Sequence, residues 1–386
     1  MHFAKLRVNE RIAKLNRDVE RVANSAVRAL DKAKAKLGLQ GRAAAYDDGA
    51  YEFEGGAQDT LRKKHYDKSL RLLWKAETVA PWSTFHDASP DEKALLDAAE
   101  RTMTDAERSA RKRISSEEFR QLLDREYSLA EKKAIVSILS AIGHGEAYAW
   151  LVSASMLSEV KSTGARAAVT MQVMEEAKHF VVLRELIQAF DVDVPRLTAW
   201  EYLLLERTLK ARGLDRFFGM NVLVETIALN IFGLLSDKPG LEVLRNFHLD
   251  ESRHTALPDN YFKEFPMSAK DKRSVRRKLA RLNMAIPVIP LVFLLEGDLA
   301  EIGVDIFDFG GAVLRKAVTL SDRAGFHLLI PSPQLLKTFN AIFNVYCYGT
   351  REKHEWHDYI SSETTRGAAE AAIEREIFGD APSAAA

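Results

Sequence analysis

The chain is patterned for helices almost throughout. Val8, Ile12, Leu15, Val19, Val22, Ala26, Leu30 and Ala33 recur three or four residues apart. That is the stripe of a long first helix, and it predicts either a seam within the chain or a dimer arm. Residues 38–60 are rich in glycine and predict a loop, and 61–75 a helix. The connection that follows places Ser89 as an N-cap one residue before Pro90. Ser115 stands three before Glu118, a capping-box spacing that starts another helix. Four long helices are predicted over 128–161, 166–190, 214–236 and 240–257, with a shorter one at 196–211. Further helices are predicted at 268–283, 298–324 and 333–360, and the apolar run 284–295 between the first two is broken by prolines. No run alternates Val, Ile and Thr as a sheet would, so the expected fold is all-α. The chain divides into an N-terminal helical extension over 1–127, a core over 128–262, C-terminal helices over 263–378, and a tail over 379–386 expected to be disordered.

Composition narrows the class. Apolar residues make up 47% of the 386, enough for a sizeable core. Lys+Arg and Asp+Glu both number 55, which argues against a nucleic-acid partner. The N-terminal segment is charged and lacks an apolar signal region, and the twelve-residue run 284–295 is too short to span a bilayer. The single Cys347 excludes an internal disulfide and suits a reducing compartment, so the expectation is a cytoplasmic protein with no membrane span.

The chemistry sits in two helices. Glu176 and His179 stand three apart in one, and Glu251 and His254 in another. Residues i and i+3 share a helix face, so each pair can offer an oxygen and a nitrogen to one ion. Both pairs interrupt otherwise apolar faces, where unpaired ionisable groups would cost several kcal/mol each, on the order of a buried charge. If each helix pairs antiparallel with its predecessor, the predecessor should carry a glutamate at mirrored depth. Glu225 fills that place for Glu251, with the midpoint inside the turn SDKPG at 236–240. Glu146 fills it for Glu176, with the midpoint beside KSTG at 161–164.

One Glu from each of two helices and Glu-x-x-His from two others is the inward set of a four-helix di-metal carboxylate bundle. In this the chain resembles the ferritin-like di-iron superfamily. EEAKH (175–179) resembles the first motif of oxidases related to the ribonucleotide reductase small subunit. DESRH (250–254) resembles the second motif of bacterial multicomponent monooxygenases, and LRLLWKAETVAPW (70–82) the segment preceding the bundle in the first group. The resemblance implies a ferritin-like four-helix bundle with extra helices at both ends. Its ligands would be Glu146, Glu176, His179, Glu225, Glu251 and His254, holding two Fe ions, or Mn and Fe. The residue before each motif glutamate would hold the opposite imidazole, Asp250 on His179 and Glu175 on His254. Arylamine N-oxygenases of this superfamily carry an extra His on the last helix four before the Glu. Phe247 occupies that position, and His248, one residue on, is either a seventh ligand or a residue outside the ligand set. Leu183 stands where the reductase subunit usually has its radical Tyr, and Leu229 where the monooxygenases usually have Thr.

What the resemblance implies about function is an O2-dependent oxygenase or oxidase acting on a small apolar or aromatic molecule. A ferroxidase or metal-handling protein, and a radical-generating subunit, are the alternatives. Trp150, Gln172, Leu183, Asn221 and Leu229 lie about one turn from ligands and are expected to line the substrate pocket. Glu159, Glu201, Glu206 and Glu242 are expected at the surface, as are His354 and His357. The basic segment 269–282 is either a solvated face or a dock for an acidic carrier protein or an anionic head group. An electron-donor reductase and a homodimer complete the expected partners.

Overall fold

The computed structural model describes residues 4–37, 114, 117–161 and 163–360. The expectations for 38–60, 61–75, 70–82, Ser89, Ser115 and the tail lie outside these residues. The fold is all-α, with no strand among the described residues. In chain order the helices are α1 (Glu10–Lys36), α2 (Glu117–Glu126), α3 (Leu129–Met156), α4 (Thr163–Ala189) and α5 (Ala199–Leu209). Then come α6 (Asp215–Leu235) and α7 (Leu244–Glu264). The C-terminal set is α8 (Ala269–Arg273), α9 (Val275–Ala285), α10 (Val288–Leu294), α11 (Glu296–Glu301), α12 (Ile306–Ala324) and α13 (Ser332–Thr350).

Two hairpins organise the core. α3 packs along α4, α6 packs along α7, and the pairs meet where α7 touches α4 and α3 touches the start of α6. α3 starts at a capping box: Ser128 Oγ accepts from Glu131 N at 3.2 Å, and Glu131 Oε2 accepts from Ser128 N at 2.8 Å. α5 begins the same way, on Thr198 and Glu201. Gly240 takes φ +80° in the turn into α7, a backbone region that favours glycine. Leu139, Leu183, Leu186, Ile231 and Leu244, from all four helices, are fully buried together. α3 and α6 are each long and apolar enough to cross a membrane, yet 78% and 83% of those stretches are covered by the rest of the fold. Their apolarity is that of helices surrounded on every side.

Four expectations are corrected. The stripe on α1 is not a seam within the chain, the first of its two expected roles: Leu15, Val19, Val22 and Leu30 are exposed. The helix instead docks through polar groups, with Glu20 Oε1 accepting from Ala199 N at 2.8 Å and Asp31 Oδ1 from Tyr202 Oη at 3.1 Å. The basic segment is two helices, because Ser274 leaves helical geometry to cap α9. Its Arg281 is fully buried, bonded through Nη2 to Asp215 Oδ1 at 2.9 Å, and so is no part of a basic surface. The helix expected over 298–324 divides at Gly303, whose φ of +77° and close approach to the Ala4 carbonyl exclude a side chain. α13 stops at Thr350, and the following segment folds back so that Asn344 Nδ2 donates to the His357 carbonyl at 2.7 Å.

Candidate metal centre

Glu146 of α3, Glu176 and His179 of α4, Glu225 of α6, and Glu251 and His254 of α7 converge, and none is more than 3% exposed. They form two overlapping groups. Glu146, Glu176, His179 and Glu251 offer atoms within 4.8 Å of one another, and so do Glu176, Glu225, Glu251 and His254. Glu176 and Glu251 belong to both. His179 Nδ1 lies 2.9 Å from Glu251 Oε1 and 3.5 Å from Glu146 Oε2. His254 Nδ1 lies 2.8 Å from Glu251 Oε2, 3.2 Å from Glu176 Oε1 and 3.8 Å from Glu225 Oε1.

The outer imidazole nitrogens are fixed by the two expected acids. His179 Nε2 donates to Asp250 Oδ2 at 3.1 Å, and His254 Nε2 to Glu175 Oε2 at 2.9 Å. Each bond keeps the proton outside and turns Nδ1 inward, which is the orientation a metal-binding imidazole needs. Arg253 joins the two acids, its Nη2 donating to Glu175 Oε1 at 3.0 Å and also to Asp250. Phe247 stacks on His179 at 4.4 Å between ring centroids, and Phe232 meets it edge-on at 6.5 Å. This side of the cluster is closed by aromatic rings and a charged clasp.

Gln172 and Asn221, expected to face substrate, are tied into the cluster instead. Gln172 Nε2 donates to Glu176 Oε1 at 3.1 Å and Glu225 Oε1 at 3.2 Å, and Gln172 Oε1 accepts from Asn221 Nδ2 at 3.0 Å. Asn221 Nδ2 also donates to the His254 carbonyl at 2.8 Å. The cause lies four residues further along α7. Pro258 sits inside the helix and has no N–H, so the carbonyl of residue 254 loses its usual partner. Asn221 supplies the missing donor from α6. It can do so from a π-helical stretch, Phe218–Val224, a wide turn of the kind found at functional sites. Gly219 at its start leaves room for Thr208 of α5, where an added Cβ would come within 2.5 Å of Oγ1.

The protonation of the cluster follows from crowding. Burial pushes Glu176 well above the usual carboxylate range, and Glu225, Glu251 and Glu146 add to it. Burial and Glu251 do the same to Glu225, and burial raises Glu146. Glu251 is the exception: burial pushes it up, but His254 and His179 on its two oxygens hold it well below that range. Burial pushes His254 down, but Glu251, Glu176 and Glu175 outweigh it and lift the imidazole to about 10. His179 is raised likewise by Glu251 and Asp250 against its burial. Protons thus partly neutralise a cluster that a cation would neutralise better.

The donor set fits a metal ion. Glu146 Oε2, Glu176 Oε2, His179 Nδ1 and Glu251 Oε1 are buried and crowd one another without a well-aligned hydrogen bond, a state buried polar atoms rarely keep. Carboxylate oxygens with imidazole nitrogens are a donor set of the kind that holds divalent metal ions.

Other expected residues lie elsewhere. His248 is buried but turned aside, its Nδ1 donating to the Leu229 carbonyl at 2.9 Å, and it joins neither group. Trp150 is 38% exposed on the outer face of α3, and Leu183 and Leu229 are packed in the interior. A cavity that touches the cluster is lined by none of the five residues expected there. It holds about 40 Å³ against Glu146 and Glu225, with Ala141, Gly145, Leu204 and Leu291 among its walls. A larger cleft of about 380 Å³ lies outside it, and Ala141, Glu201 and Leu291 line both. Glu201 and Glu206 were expected at the surface and are buried; Glu201 Oε1 lies 3.6 Å from His144 Nδ1. Glu159, His357 and, in part, Glu242 and His354 are exposed. That Glu201 caps α5 was readable from its position three after Thr198, whereas its burial comes from the neighbouring helices. The chain matches no family model, no curated protein and no solved structure.

Proposed function

We propose that this chain is a ferritin-like di-metal carboxylate enzyme that uses two iron ions, or manganese and iron, and O2 to oxidise a small apolar or aromatic molecule. The observation that carries this reading is the pair of overlapping groups that share Glu176 and Glu251. Shared carboxylates are what hold two ions close together at a distance of about 3.5–4 Å. When bound, such a pair supplies electrons for the reduction of O2.

The protein's own part is placement and exclusion. Asp250 and Glu175 hold the imidazoles in the inward tautomer, and Arg253 holds both acids. Gln172 supports Glu176 and Glu225 from one end. Phe232 and Phe247 keep water from the His179 side. Approach is therefore from the side of Glu146 and Glu225, through the wall made by Ala141, Glu201 and Leu291. The inner cavity admits a molecule the size of water or O2. An organic substrate would sit in the outer cleft until Leu291 or α5 moves.

That small volume favours a second reading, a ferroxidase whose substrate is iron itself. Anaerobic Fe(II) titration followed by O2 separates the two. Both require two ions per chain, with Glu176→Ala and His254→Ala abolishing the O2-dependent absorbance change. Continued turnover of added Fe(II), with no organic acceptor, would favour the ferroxidase. Full metal content and O2 response in either variant would end both readings.

A further inference from the structure

A second concave site lies on the other face of α5. Glu201, Leu204 and Leu205 of that helix face the inner cavity, whereas Tyr202, Leu203, Glu206 and Arg207 line a cleft of about 670 Å³ against α1 and α9. That is the volume of an ordinary small-ligand site, generally about 300–1,000 Å³. Its charge is one-sided although the whole chain is neutral. Three acids line it, and each is engaged: Asp31 accepts from Tyr202 Oη, Glu206 pairs with Lys210, and Asp215 is held by Arg281 and Arg277. Lys34, Arg207, Arg212 and Arg276 line it too, and no carboxylate among the described residues pairs with any of them.

We propose that the cleft between α1, α5 and α9 binds a small phosphate ester. Four cations from three helices and the loop after α5 converge on it. Arg207 is anchored across it, its Nη1 donating to the Asn283 carbonyl at 2.6 Å. Guanidinium groups pair with phosphate through parallel hydrogen bonds, and phosphate brings the charge these cations lack. The floor is of another kind. Tyr202, Leu203 and Met284 offer an aromatic ring and apolar side chains to the organic part of the ester. A solvated basic face would be convex and would not enclose such a floor. Of the basic segment 269–282, only Ser274, Arg276, Arg277 and Ala280 reach the cleft. This site is independent of the metal reading.

Calorimetric titration of the full-length chain at low salt tests it, with inorganic pyrophosphate, ADP and adenosine as probes. Pyrophosphate and ADP should bind with submillimolar affinity, weakening as salt rises, and adenosine should not. ADP binding more tightly than pyrophosphate would add the apolar floor to the phosphate contacts. The double variant Arg212→Glu and Arg276→Glu should weaken ADP at least tenfold with an unchanged melting temperature, because both side chains are exposed. Lys337→Glu, an exposed charge change on α13, should leave affinity as it was. No binding of either phosphate at millimolar concentration, equal binding of adenosine, or equal loss in the Lys337 variant would overturn the proposal, even if an acidic polypeptide bound there.

Discussion

Replacing Glu176 by Gln should have opposite effects with and without metal. Glu176 lies within 4.8 Å of the other members of both groups, among three carboxylates and two imidazoles. At that separation one pair of like charges costs about 3 kcal/mol at an effective dielectric constant of 20. Two of the three repulsions are offset by the imidazoles, leaving about one. Gln removes the charge and keeps an oxygen for the Gln172 amide, which Glu176 accepts at 3.1 Å. The metal-free variant should therefore be more stable than the parent by about 3 kcal/mol near neutral pH. For 386 residues the unfolding entropy is about 0.8 kcal/mol/K, so the gain is about 4 °C in melting temperature. The pH dependence has a definite sign. A carboxyl raised by folding contributes stability that is full below its unfolded value of 4.5 and is lost as pH rises through its folded value. The parent should lose stability over that range, and the variant should lose less. Added Fe(II) or Mn(II) should reverse the order, since binding at a hundred times Kd stabilises by about 2.7 kcal/mol per ion. Scanning calorimetry under argon, with chelator and with metal, reads both effects. A variant less stable than the parent in chelator, by the same amount as in metal, would show the cluster to be structural and would refute the reasoning.

Other outcomes follow from named contacts. Asp250→Asn and Glu175→Gln should each weaken metal affinity about 10–100-fold in chelator competition, because each frees an imidazole to rotate. Asn221→Ala should cost about 1–3 kcal/mol by stranding the His254 carbonyl, and Pro258→Ala should recover about 1 kcal/mol of that by restoring an N–H within α7. A denaturant double-mutant cycle with no coupling would remove the link between Pro258 and Asn221. Burial lifts Asp298 to about 6 against its hydrogen bond from Ser137. Its contribution is full below about 4 and lost by about 6, so Asp298→Asn should gain about 3 kcal/mol at pH 7 and nothing at pH 4 in urea titrations. Leu291→Trp should slow chelator removal of bound metal at least severalfold without changing stoichiometry; an unchanged rate would place the way in elsewhere.

Much of the arrangement was legible because helices impose arithmetic. Two Glu-x-x-His pairs fix two faces, and a turn midway between Glu225 and Glu251 fixes how the second hairpin folds back. The acids before each motif glutamate then fall opposite the imidazoles. What was not legible depends on contacts between elements. Of the two residues counted four from Glu225, Asn221 in the π-helical stretch bonds Gln172 and the His254 carbonyl, and Leu229 is fully buried in packing on the α-helical side of Glu225. Trp150 is large and apolar yet faces outward, because a low-polarity helix has no single buried face to read. His248 shares the face of Glu251 by spacing, but the Leu229 carbonyl captures it first. The stripe on α1 is regular and still exposed, since Glu20 and Asp31 find partners on α5 that periodicity does not reveal.

Anomalous diffraction at the iron edge, from crystals of the full chain loaded with Fe(II) under argon, addresses the di-metal reading itself. Two peaks per chain should appear about 3.5–4 Å apart, between Glu176 and Glu251 and each beside one imidazole. A single peak, or none within reach of those six side chains, would contradict it.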